Sequence, residues 1–208
     1  LVVQSREPFS IRKYLEQFAL ISKNSKEFQG HGWGCCFIKD GKWEQYKNIK
    51  PVWEDEINKF GETILLVAHA RSAFRDEGIV VENNMPFFDG KNVFIFNGEL
   101  RGVRIKEEGR IGAEKIFNLI KRINNENIGN GLKKAIEIIK DRTKYIRAMN
   151  IVICDRKNVF ISSLYNEDQE YFQMHIRRGD PLILCSDAFQ GEGWETIANN
   201  TMEVIRCY

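Results

Sequence analysis

Thr63–Ala73, T-I-L-L-V-A-H-A-R-S-A, decides how the chain is read, together with Val93–Leu100, V-F-I-F-N-G-E-L. Each opens as an apolar run too short to cross a bilayer and closes on polar groups. A run such as Ile64–Val67 suits a central strand covered on both faces. Such a strand, ending at His69 and Arg71, carries a donor-rich cluster out of the core. The second run stops at Asn97-Gly98, where glycine lets the backbone turn and offer its N–H, and Asn adds an amide donor. Two donors of this kind can stabilise a developing oxyanion. A guanidinium nearby can hold a carboxylate by two parallel hydrogen bonds. The simpler reading is that Arg71 pairs with an acid and Asn97-Gly98 is only a turn, and spacing leaves both open.

Outward from these runs, composition bounds the class. A chain of 208 residues, 43% hydrophobic and 29% charged, suits one globular domain over 1–208 with core enough to fold without staples. No run is long enough for a membrane span, and L-V-V-Q-S-R-E-P lacks the basic and apolar regions of a signal peptide. A formal charge of +2 gives no argument for nucleic acid or acidic lipid. Five cysteines, an odd number without a C-x-x-C pair, include Cys35, Cys36, Cys154 and Cys185 inside apolar runs. Buried free thiols and a reducing cytoplasm are expected. His31, His69 and His175 are scattered, so neither a metal site nor a cofactor is expected.

In chain order, Leu1–Gln4 reads as a short strand already apolar at its first residue, as though the natural strand began earlier. Ser10 caps a helix over Ile11–Lys23. Asp40-Gly41 turns a hairpin between Trp33–Lys39 and Lys42–Tyr46. The glycines at 30, 32 and 34 lead into a strand instead of opening a helix, which argues against a nucleotide loop. Pro51–Phe60 reads as a short helix, Thr63–His69 as the central strand, Arg71–Phe88 as a long loop and Asn92–Phe96 as the strand before Asn97. Helices follow over Ala113–Ile123 and Leu132–Asp141, separated by Gly129 and Gly131. The remainder is strand-like: Asn150–Cys154, Val159–Leu164, Tyr171–Arg177, Pro181–Ser186 and Met202–Cys207. This order fits layered α+β packing.

The succession G-H-G-W-G (Gly30–Gly34), A-H-A-R-S-A (Ala68–Ala73), N-N-M-P-F (Asn83–Phe87), F-N-G-E-L (Phe96–Leu100) and G-R-I-G-A-E-K (Gly109–Lys115) resembles the class II glutamine amidotransferase domain. That domain is an N-terminal-nucleophile hydrolase, and the likeness is greatest to small stand-alone amidotransferases. The resemblance covers nearly the whole chain, including S-D-A-F-Q-G-E-G-W-E-T-I (Ser186–Ile197). It implies an α+β fold, a four-layer αββα sandwich with the active site at one end. It also implies a terminal cysteine nucleophile whose own α-amine is the general base. By the same likeness Asn97 and Gly98 form the oxyanion hole, and Arg71, in the segment Ala70–Ser72, binds the substrate's α-carboxylate. Gly32 and Trp33, with His69, wall the site; His69 is read as a hydrogen-bonded structural residue.

Three departures stand out. The sequence starts at Leu1, so the nucleophile is expected ahead of it. Gly112 occupies the substrate-binding position where the family carries an Asp for the substrate's α-amino group, and losing one such charge-assisted bond costs roughly 1.5–3 kcal/mol. Met85 and Phe96 replace the family's histidines. Three functions follow: hydrolysis of glutamine or a γ-glutamyl amide; the same chemistry on an amide without a free α-amino group; or a fold that retains binding or partner regulation without catalysis. A small-molecule amide is the expected ligand, with neither nucleic acid nor membrane. A synthetase partner or a homo-oligomer stays open.

Overall fold

The computed structural model describes residues 1–73, 78–123 and 126–207. The strands are β1 (Val2–Ser10), β2 (Trp33–Lys39), β3 (Lys42–Asn48), β4 (Glu62–Ala70), β5 (Phe87–Phe88), β6 (Val93–Val103), β7 (Thr143–Cys154), β8 (Asn158–Ser163), β9 (His175–Arg177), β10 (Leu182–Cys185), β11 (Trp194–Thr196) and β12 (Thr201–Arg206). The helices are α1 (Ile11–Lys23), α2 (Gly112–Ile123), α3 (Ile128–Arg142) and the single turn α4 (Gln169–Phe172). Two antiparallel sheets result, ordered β11-β9-β10-β1-β4-β2-β3 and β12-β8-β7-β6-β5.

Period-two alternation along the central strands builds the layers. Val3, Cys35, Phe37, Leu66 and Ala68 face α1 and pack with its Ile11, Leu15 and Phe18. Val2, Cys36, Leu65 and Val67 point the other way and share a cluster with the second sheet. The far face of that sheet is covered by α2 and α3: the rings of Phe94 and Phe117 stack 4.9 Å apart. Helix α2 buries Ile116, Phe117, Leu119 and Ile120 at 3.6-residue spacing, each side chain worth about 1.5–3 kcal/mol of gross burial. The architecture is a four-layer αββα sandwich. Among the described residues, no helix is long and apolar enough to cross a membrane.

Several boundaries differ from those read in the sequence. β6 does not stop at Asn97-Gly98 but runs to Val103, with Asn97 paired to Asn150 and Gly98 to Met149. The glycine is there for close approach: a Cβ on Gly98 would lie 2.1 Å from the Ala148 carbonyl oxygen. Just beyond, the register slips between Glu99 and Leu100. Gly129 and Gly131 lie inside α3 instead of separating two helices; the Asn127 side chain caps it by accepting from the Asn130 N–H, and Gly129 gives room to the Phe160 ring. Pro51–Phe60 forms two 3-10 turns, Val52–Glu54 and Ile57–Lys59, held by Asp55. Its carboxylate oxygen accepts from Trp33, Tyr46 and Asn48. Tyr171–Arg177 begins in α4 and only then becomes strand. Of the long loop Arg71–Phe88, residues 74–77 lie outside the described residues; the rest includes a 3-10 turn at Val81–Asn83 and β5.

Candidate active site

A cavity of about 350 Å³ opens between the sheets where β1 begins and β4 ends. From the first sheet it is lined by Leu1, Val2, Ala68, His69 and Ala70, and from the second by Ile95, Phe96, Asn97, Asn150 and Val152. The start of β1 is fixed by its neighbour: the Leu1 amino group donates to the Ala68 carbonyl at 2.9 Å, and the Ala68 N–H donates back to the Leu1 carbonyl at 2.8 Å. Burial lowers the pKa of that amine, since a charge removed from water is disfavoured.

His69 reaches across to the opposite sheet, its Nε2 lying 3.0 Å from the Phe96 carbonyl oxygen. A carbonyl only accepts, so Nε2 carries the hydrogen and Nδ1 bears a lone pair. Burial and the adjacent chain amino group push the imidazole pKa down to about 3; Arg71 adds to the shift, and the bond to Phe96 opposes it. His69 is therefore a neutral ring near pH 7.

Asn97 and Asn150 are cross-strand partners on the cavity side of the second sheet. Asn150 is engaged at both ends of its amide, donating to the Phe172 carbonyl at 2.6 Å and accepting from the Leu164 N–H at 3.1 Å. It anchors the α4 segment beside the cavity. The Asn97 side chain makes no hydrogen bond to the described residues and stays available to a ligand. Sequence reasoning missed Asn150. The signal was a single polar residue two positions from Val152 in M-N-I-V-I-C, on the same strand face.

The other expected site residues lie elsewhere. Arg71 is 6% exposed, donates from Nη1 to the Gly78 carbonyl at 2.9 Å and does not line the cavity, and neither does the exposed Ser72. Burial lowers the guanidinium pKa without neutralising it. Gly98 follows Asn97 in β6 but is outside the lining, as are Gly32 and Trp33. Gly32 adopts φ +101° where a Cβ would strike Asn84. Trp33 is fully buried on the α1 side and donates to Asp55 at 2.9 Å. Gly112 opens α2, and a Cβ there would meet nothing within 4 Å.

The outer part of the cavity is polar and was not foreseen. Ser25, Lys26 and Gln29, in the loop after α1, face Glu170 and Tyr171, with Asp187 completing the rim. This loop is tied down by Lys26 to Asp168 at 2.7 Å, Glu27 to Arg147 at 2.7 Å, and Gln29 to Tyr171 at 2.8 Å. No group of metal-ligating side chains occurs among the described residues.

The fold is similar to that of solved class II glutamine amidotransferase domains. One similar structure is a glutamine aminotransferase class-II domain protein from Silicibacter pomeroyi, with TM-score 0.65 and 13% identity over 83% of this chain and 86% of that one. Another is a predicted glutamine amidotransferase from Pseudomonas aeruginosa, with TM-score 0.57 and 14% identity over 83% of each chain. A third is the glutamine phosphoribosylpyrophosphate amidotransferase of B. subtilis, with TM-score 0.64 and 15% identity; the match covers 99% of this chain but 48% of that one. No protein-family model matches the sequence, and no curated protein is significantly similar to it.

Proposed function

We propose that residues 1–208 form one amidohydrolase domain of the class II amidotransferase type. It cleaves the side-chain amide of glutamine or of a γ-glutamyl compound through a cysteine thioester, and the cysteine is the residue joined ahead of Leu1. The observation that carries the reading is the convergence of the start of β1, His69 and Asn97 on one cavity. Leu1 and Ala68 exchange both backbone hydrogen bonds. The next residue back therefore falls opposite His69 in a non-hydrogen-bonded pair, with Cα atoms about 4.5 Å apart. Two positions from Val2, its side chain shares the cavity face.

In this mechanism the thiol sulfur bonds to the amide carbon while its proton passes to the α-amine. That amine has an ordinary pKa near 8, and burial of the kind that lowers the Leu1 amine favours its unprotonated form. The Asn97 amide, on the cavity wall, stabilises the oxyanion; the Gly98 N–H, next along β6 and outside the lining, is the second donor by the family resemblance alone. Collapse breaks the C–N bond, and ammonia leaves with the proton held by the amine. Water then cleaves the thioester, giving the acid and the free thiol. The ammonia goes to solvent, a synthetase partner or a second copy of the chain. Free thiols at Cys35, Cys36, Cys154, Cys185 and Cys207 suit a reducing cytoplasm.

The test is to compare the chain carrying one cysteine ahead of Leu1 with the same chain carrying alanine. Ammonia release is followed from glutamine, N-acetylglutamine and a γ-glutamyl amide. Turnover by the cysteine form alone, with an acyl adduct in its intact mass, is expected. No turnover of any of the three refutes the reading. The second reading, a binding fold without catalysis, is favoured by Arg71 being committed to the Gly78 carbonyl and by Gly112 having no carboxylate.

A further inference from the structure

We infer that His69 is a specificity-determining residue: its Nδ1 accepts the N–H of a substrate carboxamide whose C=O takes the Asn97 amide, so that the pair reads amide against ester or acid. The inference rests on the amide-cleaving reading, but it concerns recognition and is tested apart from turnover.

A carboxamide is one acceptor and one donor set on the same carbon. His69 and Asn97 line the cavity from its two sheets. Asn97, on the second sheet, has an amide donor with no partner among the described residues. His69, on the first, has its tautomer set by the Phe96 carbonyl. Its Nδ1 is buried and makes no hydrogen bond to any described residue. A buried acceptor left unpaired is costly, and a ligand donor relieves that cost. Burial keeps the ring unprotonated, and the neighbouring chain amino group and Arg71 act in the same direction. The ring is thus an acceptor and does not donate from Nδ1. An ester has no N–H to offer it, and a carboxylate would set an oxygen lone pair against the nitrogen lone pair. The same opposition favours release of the acid product after hydrolysis.

Two measurements on the chain beginning at Leu1 test this. In the first, L-glutamine and N-acetyl-L-glutamine, each beside its γ-methyl ester, are titrated while the ¹⁵N resonances of the three imidazoles are followed. The His69 Nδ1 resonance is expected to move with an amide and to stay put with either ester. In the second, amide-over-ester selectivity is measured in His69→Phe, which keeps an aromatic ring and removes the acceptor. A preference of about tenfold or more, the value of one hydrogen bond, is expected to fall to near unity. The inference is overturned if amides and esters move Nδ1 alike, if neither binds at tens of millimolar, or if His69→Phe keeps the preference. If Nδ1 responds to amides while the cysteine-bearing chain turns nothing over, the recognition stands and the proposed catalysis fails. The reverse result, turnover with an unchanged preference in His69→Phe, rejects this inference alone.

Discussion

Replacing Gly98 by alanine separates two roles that one residue can hold, a close backbone crossing and an oxyanion donor. The added Cβ would sit 2.1 Å from the Ala148 carbonyl oxygen and 2.6 Å from its carbon, both backbone atoms that cannot swing aside. β6 and β7 must therefore separate by about 1 Å at their centre to restore van der Waals contact. Overpacking of this kind costs about 1–3 kcal/mol, and one or two weakened ladder bonds add about 0.5–1.5 kcal/mol each. A total near 2–4 kcal/mol corresponds to a fall in Tm of about 5–15 °C for a chain of this size. Alanine keeps its N–H, so the donor itself is not removed. Thermal and urea unfolding of Gly98→Ala measure the cost, with Gly112→Ala as the control because a Cβ there meets nothing within 4 Å. A Gly98→Ala Tm within about 2 °C of the parent would refute the close-packing account and return Gly98 to a purely chemical role.

Other outcomes follow from the same geometry. In the chain carrying the added cysteine, Asn97→Ala should lower kcat about 100- to 1000-fold, the usual effect of losing one oxyanion donor, with little change in KM; a KM effect alone would count against the assignment. Stability should fall on acidification because unfolded His69 binds a proton near pH 6.5 while the folded ring resists down to about 3. Between these values the unfolded state holds the extra proton, so stability rises with pH; the loss at pH 5 relative to pH 7 should be about 2 kcal/mol from this residue and should vanish in His69→Phe. Gly112→Asp should leave the fold intact and add about 0.3–1 kcal/mol from a carboxylate at the N-terminus of α2, read as a small rise in Tm; a fall would show that the open space at Gly112 is needed. Iodoacetamide at pH 8 should modify Cys207 before Cys36 or Cys154. Cys207 is half-buried and its thiol pKa is lowered by the Cys154 hydrogen bond, whereas burial drives Cys36 to about 12, and Cys154 is raised by its hydrogen bond to Cys207 and by burial. Mass mapping at partial modification decides.

Much of the layering is legible because burial imposes a period on the sequence. Ile64–Val67 reads as doubly covered, and from Leu65 on it is so: Leu66 faces α1 and Leu65 faces the second sheet, whereas Ile64 is exposed. The stripe Ile116, Phe117, Leu119, Ile120 identifies α2 in the same way. Two of the failures share one cause. At Gly98 and Gly129 the chain carries glycine because another segment comes close, and local rules translate glycine as a turn or a break. Only the position of the Ala148 carbonyl or of the Phe160 ring, both distant in sequence from the start of the run, shows the difference.

The placement of the candidate site was legible in part, and the boundary is again physical. His69 and Asn97 can be located because each ends or interrupts an apolar run on the face that points inward, and the strand register then brings both to one cavity. Arg71 comes only one residue after β4, yet alternation no longer governs it there, and its guanidinium is drawn to the Gly78 carbonyl. The polar rim at Lys26, Gln29, Glu170 and Asp187 is assembled from two loops and a one-turn helix with no periodicity to reveal it. Under the proposed function the inner wall holds the groups suited to an amide, and with Arg71 and Gly112 both outside the lining, recognition of an α-amino acid head would fall to the rim. Exchanging Lys26 or Asp187 for alanine should therefore alter the preference between glutamine and N-acetylglutamine, with unchanged selectivity for amide over ester. A change in the second selectivity without the first would reverse this division of labour.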